Sequence, residues 1–179
     1  MQLKRLLITS DELVSLEELK EHMRIEHEDE DSLLKSLLRS AYDWVEQFTN
    51  RSLLTTQWCF KSLPLKKGSE INICLPFPDL IRIESVHHVF TPDHKELLRR
   101  FVIEEKNGLS YVCLLSKGVP IEIIYKSGFG ESFDKVPEAI RQAIKVLAAS
   151  WHENREGSFC GIPDTVRTFL HPYQVRRLV

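Results

Sequence analysis

Several side chains in the sequence could do chemistry, and Cys160 is the first to consider. It follows His152 and Glu153 by a few residues, so a thiol, an imidazole and a carboxylate lie close together along the chain. A nucleophilic cysteine needs an activating base, and the residues around Cys160 match no activated-cysteine signature. The serine elbow GxSxG is also absent from the sequence. We therefore predict no catalytic residue and a small apolar role for Cys160 in a loop.

Metal-ligand residue types also occur, most densely in the acidic run Glu26-His27-Glu28-Asp29-Glu30-Asp31. This run lacks the spaced ligands and central glycine of an EF-hand, so we interpret it as a solvated stretch that caps the next helix. His87 and His88 are neighbours in a predicted strand and therefore point to opposite faces, where they cannot share a metal. The four cysteines include no CxxC pair. The sequence predicts no metal and no cofactor.

The composition is that of a water-soluble globular protein. Of 179 residues, 42% are hydrophobic and 28% are charged, and the formal net charge is -2. No apolar run approaches the roughly 20 residues that a membrane-spanning helix needs, and Thr9-Ser10-Asp11-Glu12 interrupts the apolar N-terminus before a signal-peptide core is complete. We expect neither export nor a membrane partner. The small net charge gives no general attraction to phosphate polymers.

Helices are predicted at both ends of the chain. Ser15-Leu16-Glu17-Glu18 is a capping box that begins a short helix. A longer helix follows the acidic run and ends near Asn50, a third begins at Pro137, and a fourth runs from Pro163-Asp164 to Leu170. The long helix has an apolar stripe at three- and four-residue steps. The stripe consists of Leu33, Leu34, Leu37, Leu38, Ala41, Trp44, Val45 and Phe48.

Between the helices, short β-branched and aromatic runs alternate with turn residues at intervals of about ten, which is typical of antiparallel hairpins. The predicted fold is therefore α+β: a mostly antiparallel helical bundle of two N-terminal and two C-terminal helices with an inserted antiparallel β-sheet subdomain. The predicted divisions are 1–53, 54–130 and 131–179. The predicted strands are Thr55 to Ser62, Glu70 to Leu75, Ile81 to Phe90, Phe101 to Glu104, Ser110 to Leu115 and Ile121 to Lys126.

Several segments of the chain also form an ordered set of landmarks. They are Val14 to Ile25, the acidic break Glu28-Asp29-Glu30-Asp31, Val45 to Leu53, Pro76-Phe77-Pro78 with Ile83 to Val86, Tyr125 to Gly130, Val136 to Ile144, Trp151 to Glu156 and Pro172 to Arg177.

In this order, the landmarks resemble the head-tail connector proteins of tailed bacteriophages and related prophages. The resemblance implies a structural adaptor without catalytic residues, which forms a ring, commonly of twelve subunits, docked on the portal protein. The ring extends the DNA channel toward the tail and receives a tail-completion protein, while an isolated subunit can remain a monomer. It also implies assembly in the cytoplasm of a host bacterium and a final place in the virion neck.

A ring requires two different, complementary faces on each subunit. The segment Asp11 to Asp31 contains ten acidic residues against two basic ones, whereas Arg167, Arg176 and Arg177 follow Asp164 without any acid. We predict that Tyr173, Arg176 and Arg177 dock on a neighbouring subunit or on the portal. The alternative is a tail that folds back on its own bundle.

A second predicted site is a set of basic residues that contact passing DNA, because backbone contact without sequence preference needs only positive charge. The set consists of Lys66, Lys67, Arg99 and Arg100.

Two other functions compete with the connector. A nucleic-acid-binding module could use sheet aromatics such as Trp58 and Phe60, and would bind nucleic acid tightly with strong salt dependence. A hydrolase with an unrecognised site would need a deep pocket of convergent polar groups.

Overall fold

The structure, a computed structural model, describes residues 2–8, 14–154 and 161–175, and structural statements below concern these residues. They contain four α-helices and eight β-strands, the strands forming two antiparallel sheets. The chain divides into two compact units, one of Met1–Thr9 with Leu54–Phe129 and one of Ser10–Leu53 with Gly130–Val179. None of the described helices is both long and apolar enough to cross a bilayer.

The first unit contains both sheets. The five-stranded sheet has the order β1-β2-β8-β4-β5, and the three-stranded sheet has the order β3-β7-β6. Every strand pair is antiparallel. The strands are β1 (Gln2–Ile8), β2 (Thr56–Lys61), β3 (Glu70–Cys74), β4 (Leu80–Thr91), β5 (His94–Leu97), β6 (Val102–Lys106), β7 (Leu109–Leu115) and β8 (Ile121–Ser127).

The core of this unit lies between the inner faces of the two sheets. β2 and β7 alternate between buried and partly exposed residues, as expected when one face of a strand is covered. Side chains from both sheets form a single apolar cluster. Its buried members are Trp58, Phe60, Ile73, Leu75, Val86, Val112, Leu114, Ile121, Ile123 and Tyr125.

The second unit contains the helices, α1 (Leu16–Met23), α2 (Asp31–Thr49), α3 (Glu138–Glu153) and α4 (Asp164–Leu170). The predicted N-cap of α1 is present, since the Ser15 hydroxyl accepts the backbone N–H of Glu18 at 3.1 Å. Asn50 ends α2 in the left-handed conformation, with φ 54°. Leu34, Leu38, Ala41 and Val45 of the predicted stripe are buried.

The predicted architecture, a helical bundle with an inserted sheet subdomain, is wrong. Of the described residues, 34% are helical and 32% lie in strands, and the strands form two sheets. Gln2–Ile8 form a strand that pairs with β2, although Leu6-Leu7-Ile8 show no alternation from which a strand could be predicted. The hairpin strand His94–Leu97 was also missed, because four exposed residues give no burial pattern.

One position in the first unit requires glycine. Gly128 follows β8 with φ +136°, and a Cβ atom added there would lie 2.4 Å from the carbonyl oxygen of Leu54. Only glycine allows the chain to pass this close to the residues that lead into β2.

Candidate functional site

The C-terminal segment is fixed to the end of α2. The backbone N–H of Val175 donates to the Thr49 carbonyl at 2.9 Å, and the Asn50 side-chain amide donates to the Val175 carbonyl at 3.1 Å. Arg51 Nε donates to the Tyr173 carbonyl at 2.7 Å. We call these contacts between 49–51 and 173–175 the C-terminal clasp. Through Val175, the tail therefore folds back on its own helical unit.

The clasp depends on how α2 ends, and a buried acid controls that end. The Glu46 carboxylate accepts the backbone N–H of Leu53 at 2.9 Å and the hydroxyl of Tyr42 at 3.2 Å. The Thr49 hydroxyl donates to the Val45 carbonyl at 2.7 Å. Glu46 thus holds the turn that carries Asn50 and Arg51. Sequence reasoning missed it, although an acid within the apolar stripe of α2 was a usable signal.

Of the predicted docking residues, Tyr173 is half-buried in a short 3₁₀ helix, and its carbonyl belongs to the clasp. Arg176 and Arg177 lie outside the described residues. The clasp fixes the chain up to the residue before them.

The fold brings the two predicted basic pairs to one end of the three-stranded sheet. Lys66 and Lys67 precede β3, and Arg99 and Arg100 precede β6. Both strands run antiparallel to β7, with Glu70 opposite Leu115 and Val102 opposite Cys113, so both begin at the same end of β7. All four basic residues are exposed.

The outer face of the five-stranded sheet carries a charge network. The Glu122 carboxylate binds Lys61 Nζ at 2.9 Å and Lys95 Nζ at 2.6 Å. Burial alone would raise the pKa of Glu122, but the hydrogen bonds from the two lysines outweigh burial and lower the pKa. Glu84 similarly contacts Arg82 at 3.1 Å and Lys126 at 3.7 Å. These paired charges were not predicted from the sequence.

Among the described residues, the side chains first considered for catalysis or metal binding do not lie together in one site. No group of three His, Cys, Asp or Glu residues among them could hold a metal ion. His152 Nε2 of α3 lies within hydrogen-bond distance, 2.8 Å, of a carboxylate oxygen of Glu30, the residue before α2. Burial raises the pKa of the Cys59 and Cys113 thiols, which keeps them protonated at neutral pH. Cys160 lies outside the described residues.

We expect His88 to make the stability of the first unit depend on pH. It is 1% exposed, neither ring nitrogen has a hydrogen-bond partner among the described residues, and burial followed by the nearby Lys117 charge lowers its pKa. The lowered pKa keeps the histidine neutral at pH 7 in the folded state. The stability that this lowered pKa contributes is present above the unfolded pKa of about 6.5 and is lost as the pH falls toward the folded value.

We expect the free energy of unfolding to fall between pH 7 and pH 5, by at most about 1.4 kcal/mol per pH unit from this one proton. In His88→Leu this part of the pH dependence should disappear. Urea denaturation at pH 7, 6 and 5 measures it, with His22→Gln as the control because His22 is exposed. Equal pH dependence in wild type and His88→Leu would contradict the prediction.

The chain is similar in sequence to a family of known proteins and in fold to several solved structures. The family described as phage gp6-like head-tail connector protein matches residues 13–75, which include α1, α2, β2 and β3. The resemblance to head-tail connector proteins is confirmed. With it, the predicted role of a structural connector is supported. No curated protein sequence matches the chain.

Solved structures similar to this chain come from gene transfer agent (GTA) particles. The neck of an empty GTA particle computed with C6 symmetry contains a chain that superposes with TM-score 0.83 at 19% identity. A chain in the virion of a native GTA particle also gives 0.83, and one in the native neck computed with C12 symmetry gives 0.79, both at 19% identity. Each comparison covers 100% of this chain and 98% of the other. This chain therefore has the fold of these chains over its whole length.

Proposed function

We propose that this chain is a structural head-tail connector that forms a ring in the neck of a phage-like particle, docks on the portal protein and extends the DNA channel toward the tail. The observation that carries the proposal is the family match at 13–75 on a chain whose whole length has the fold of chains from GTA particles. The role needs complementary surfaces and no reactive side chains, so we propose no enzymatic activity. Assembly takes place in the host cytoplasm before the ring joins the virion neck.

A twelve-subunit ring fits the symmetry of the similar structures, since necks were computed with C6 and with C12 symmetry. A ring of identical subunits repeats one heterologous contact, and a subunit can remain a monomer until a partner supplies a template. The tail-side partner in this proposal is a tail-completion protein.

The test is to co-produce the connector with the portal protein of the same particle and to image the product by electron microscopy. We expect a ring of twelve connectors on one end of the portal. The connector alone, at the same concentration, serves as the control and shows whether the portal is the template. A connector that stays separate from the portal in every preparation would overturn the proposal.

We propose that Tyr173, Arg176 and Arg177 form the site that docks on a neighbouring subunit or on the portal protein. The clasp holds the backbone of Tyr173 and Val175, so it gives the following residues a fixed starting point on the helical unit. Arginine suits such a contact because its guanidinium can bind a carboxylate through two parallel hydrogen bonds.

Contact with passing DNA is a second function that we propose, for Lys66, Lys67, Arg99 and Arg100. It is favoured by their common position at one end of the three-stranded sheet and by their exposure. None of the four forms an ion pair with a described acid, so their charge is available to phosphate groups.

Replacing all four residues with glutamine should weaken duplex binding and flatten its salt dependence. Each lost phosphate contact reduces the slope of log K against log salt by about 0.9. Fluorescence anisotropy with duplex DNA at several salt concentrations measures both effects. Lys35→Gln with Arg39→Gln is the control, since these exposed residues of α2 lie in the other unit. Unchanged affinity and slope in the fourfold variant would show that these residues do not contact DNA.

A further inference from the structure

Four strands of the first unit each have one edge that pairs with no other described strand, β1 and β5 in the five-stranded sheet and β3 and β6 in the three-stranded sheet; β1 and β6 are considered for their side chains. β1 is hydrogen-bonded to β2 alone, at one side of the five-stranded sheet, and β6 is hydrogen-bonded to β7 alone, at one side of the three-stranded sheet. The outer edge of such a strand presents backbone N–H and C=O groups that another extended strand can pair with. The chemistry that recognises these edges is therefore a second β-strand.

β1 is unusually apolar for an exposed edge. Residues 2–7 are all exposed, and Leu3, Leu6 and Leu7 are 39%, 39% and 67% exposed. Proteins usually protect edge strands with charged side chains or bulges. In β1 the charges are Lys4 and Arg5, and the pairing register with β2 shifts between Arg5 and Leu7. The leucines on either side of these charges remain uncovered.

β6 has the complementary arrangement. Val102 and Ile103 are 60% and 45% exposed, and they are followed by Glu104 and Glu105. Along the chain, β1 therefore has basic residues followed by apolar residues, and β6 has apolar residues followed by acidic residues. An antiparallel pair can place the basic residues opposite the acidic ones and the apolar residues opposite each other.

One continuous antiparallel register satisfies these positions. It places Lys4 opposite Glu105 and Arg5 opposite Glu104, and it places Leu6-Leu7 opposite Val102-Ile103. Directly opposed residues of opposite charge stabilise a strand pair, and so do opposed apolar residues. Lys4 and Glu105 form no ion pair with any other described residue, so both charges can take a partner from outside the chain.

We propose that β1 of one connector adds to β6 of the next connector, as an antiparallel strand pair between subunits. The inference rests on the proposed ring. The two edges differ from each other, so the contact is heterologous and can repeat around a closed ring. The occupant of each edge is a second copy of this chain, because the complementary charges and apolar residues both belong to it.

A charge exchange tests the pairing. Lys4→Glu and Glu105→Lys each place like charges opposite one another, and each should reduce the yield of rings on the portal at least ten-fold. The variant that carries both changes restores opposite charges and should recover most of the yield. Lys35→Glu, a reversal at an exposed position of α2, is the control and should assemble as wild type. Size-exclusion chromatography and electron microscopy measure the yield.

A cysteine pair tests the register directly. Opposed residues in an antiparallel pair have Cβ atoms about 4.5–5.5 Å apart, close to the separation that a disulfide needs. Cys59 lies directly opposite Lys4 in the same chain, so Cys59→Ser is present in every variant of this test. In that background, oxidation of Lys4→Cys/Glu105→Cys rings should give a ladder of covalent oligomers on a denaturing gel. The pair Lys4→Cys/Lys66→Cys and the single Lys4→Cys change are the controls, and neither should give the ladder.

The outcomes separate this inference from the proposed function. Rings that form normally in wild type, with neither rescue by the double exchange nor a ladder, overturn the strand pairing and leave the connector role intact. A disulfide between residues 4 and 105 of one chain, without covalent oligomers, also overturns it. The β1 and β6 that pair would then belong to the same subunit. If wild-type connectors form no ring on the portal, the proposed function fails, and this inference fails with it.

Discussion

Gly128→Ala should destabilise the first unit by about 3 kcal/mol or more, because backbone strain and a backbone clash add at this position. The glycine has φ +136°, and the added Cβ would lie 2.4 Å from the Leu54 carbonyl oxygen and 2.9 Å from the Thr55 nitrogen. Both neighbours are backbone atoms of the segment that enters β2, so neither can move without disturbing the sheet. Chemical denaturation of the purified chain measures the loss.

Gly108→Ala is the matched control for this change. Gly108 also has a positive φ, +72°, but nothing lies within 4 Å of a Cβ added there. Its replacement therefore carries the cost of the backbone conformation alone, about 1–2 kcal/mol. The difference between the two variants isolates the clash with Leu54. Equal losses in both would mean that the first unit adjusts around residue 128, contrary to the prediction.

Reversing the two terminal arginines, Arg176→Glu with Arg177→Glu, should weaken binding to the portal about 100-fold or more. Breaking a desolvated charge pair costs about 2–5 kcal/mol, and 1.4 kcal/mol corresponds to a tenfold change in affinity. The fold should remain intact, because the clasp uses the carbonyl of Tyr173 and the backbone of Val175. Surface plasmon resonance with immobilised portal measures the binding.

Arg167→Glu is the control for that reversal, since Arg167 is exposed on α4 and takes no part in the clasp. It should bind the portal with nearly wild-type affinity. Thermal unfolding curves of all variants should coincide, which separates loss of docking from loss of folding. Wild-type portal binding by the double reversal would show that the terminal arginines are not the docking site.

The helices of this chain were predictable because their signals are local. The capping box at Ser15, the stripe within α2 and the proline before α3 each act within a few residues of the chain. Six strands of the middle region were also predicted, because short β-branched and aromatic runs separated by turn residues mark them. The large share of strand relative to helix was not predictable, since the pairing of Gln2–Ile8 with Thr56–Lys61 depends on contacts distant in sequence.

The candidate site was predictable only as a set of residue types. The sequence indicates charged and aromatic residues near the C-terminus, but the clasp depends on Glu46, whose position beside the backbone of Leu53 follows from how α2 ends. The two basic pairs are more than thirty residues apart in sequence, and only the antiparallel order β3-β7-β6 brings them to one end of a sheet. The sequence shows which side chains could bind a partner, whereas the order of the strands determines where those side chains lie.

The pairing of β1 with β2 also affects how the chain folds during synthesis. At about 5–20 residues per second, a ribosome needs roughly 3–10 s to add the residues between the first strand and its partner. During that time a leucine-rich strand has left the ribosome without the neighbour that later holds it. Holdase chaperones that bind extended apolar segments should therefore associate with Gln2–Ile8 of the nascent chain, and should be released once residues 56–61 have emerged.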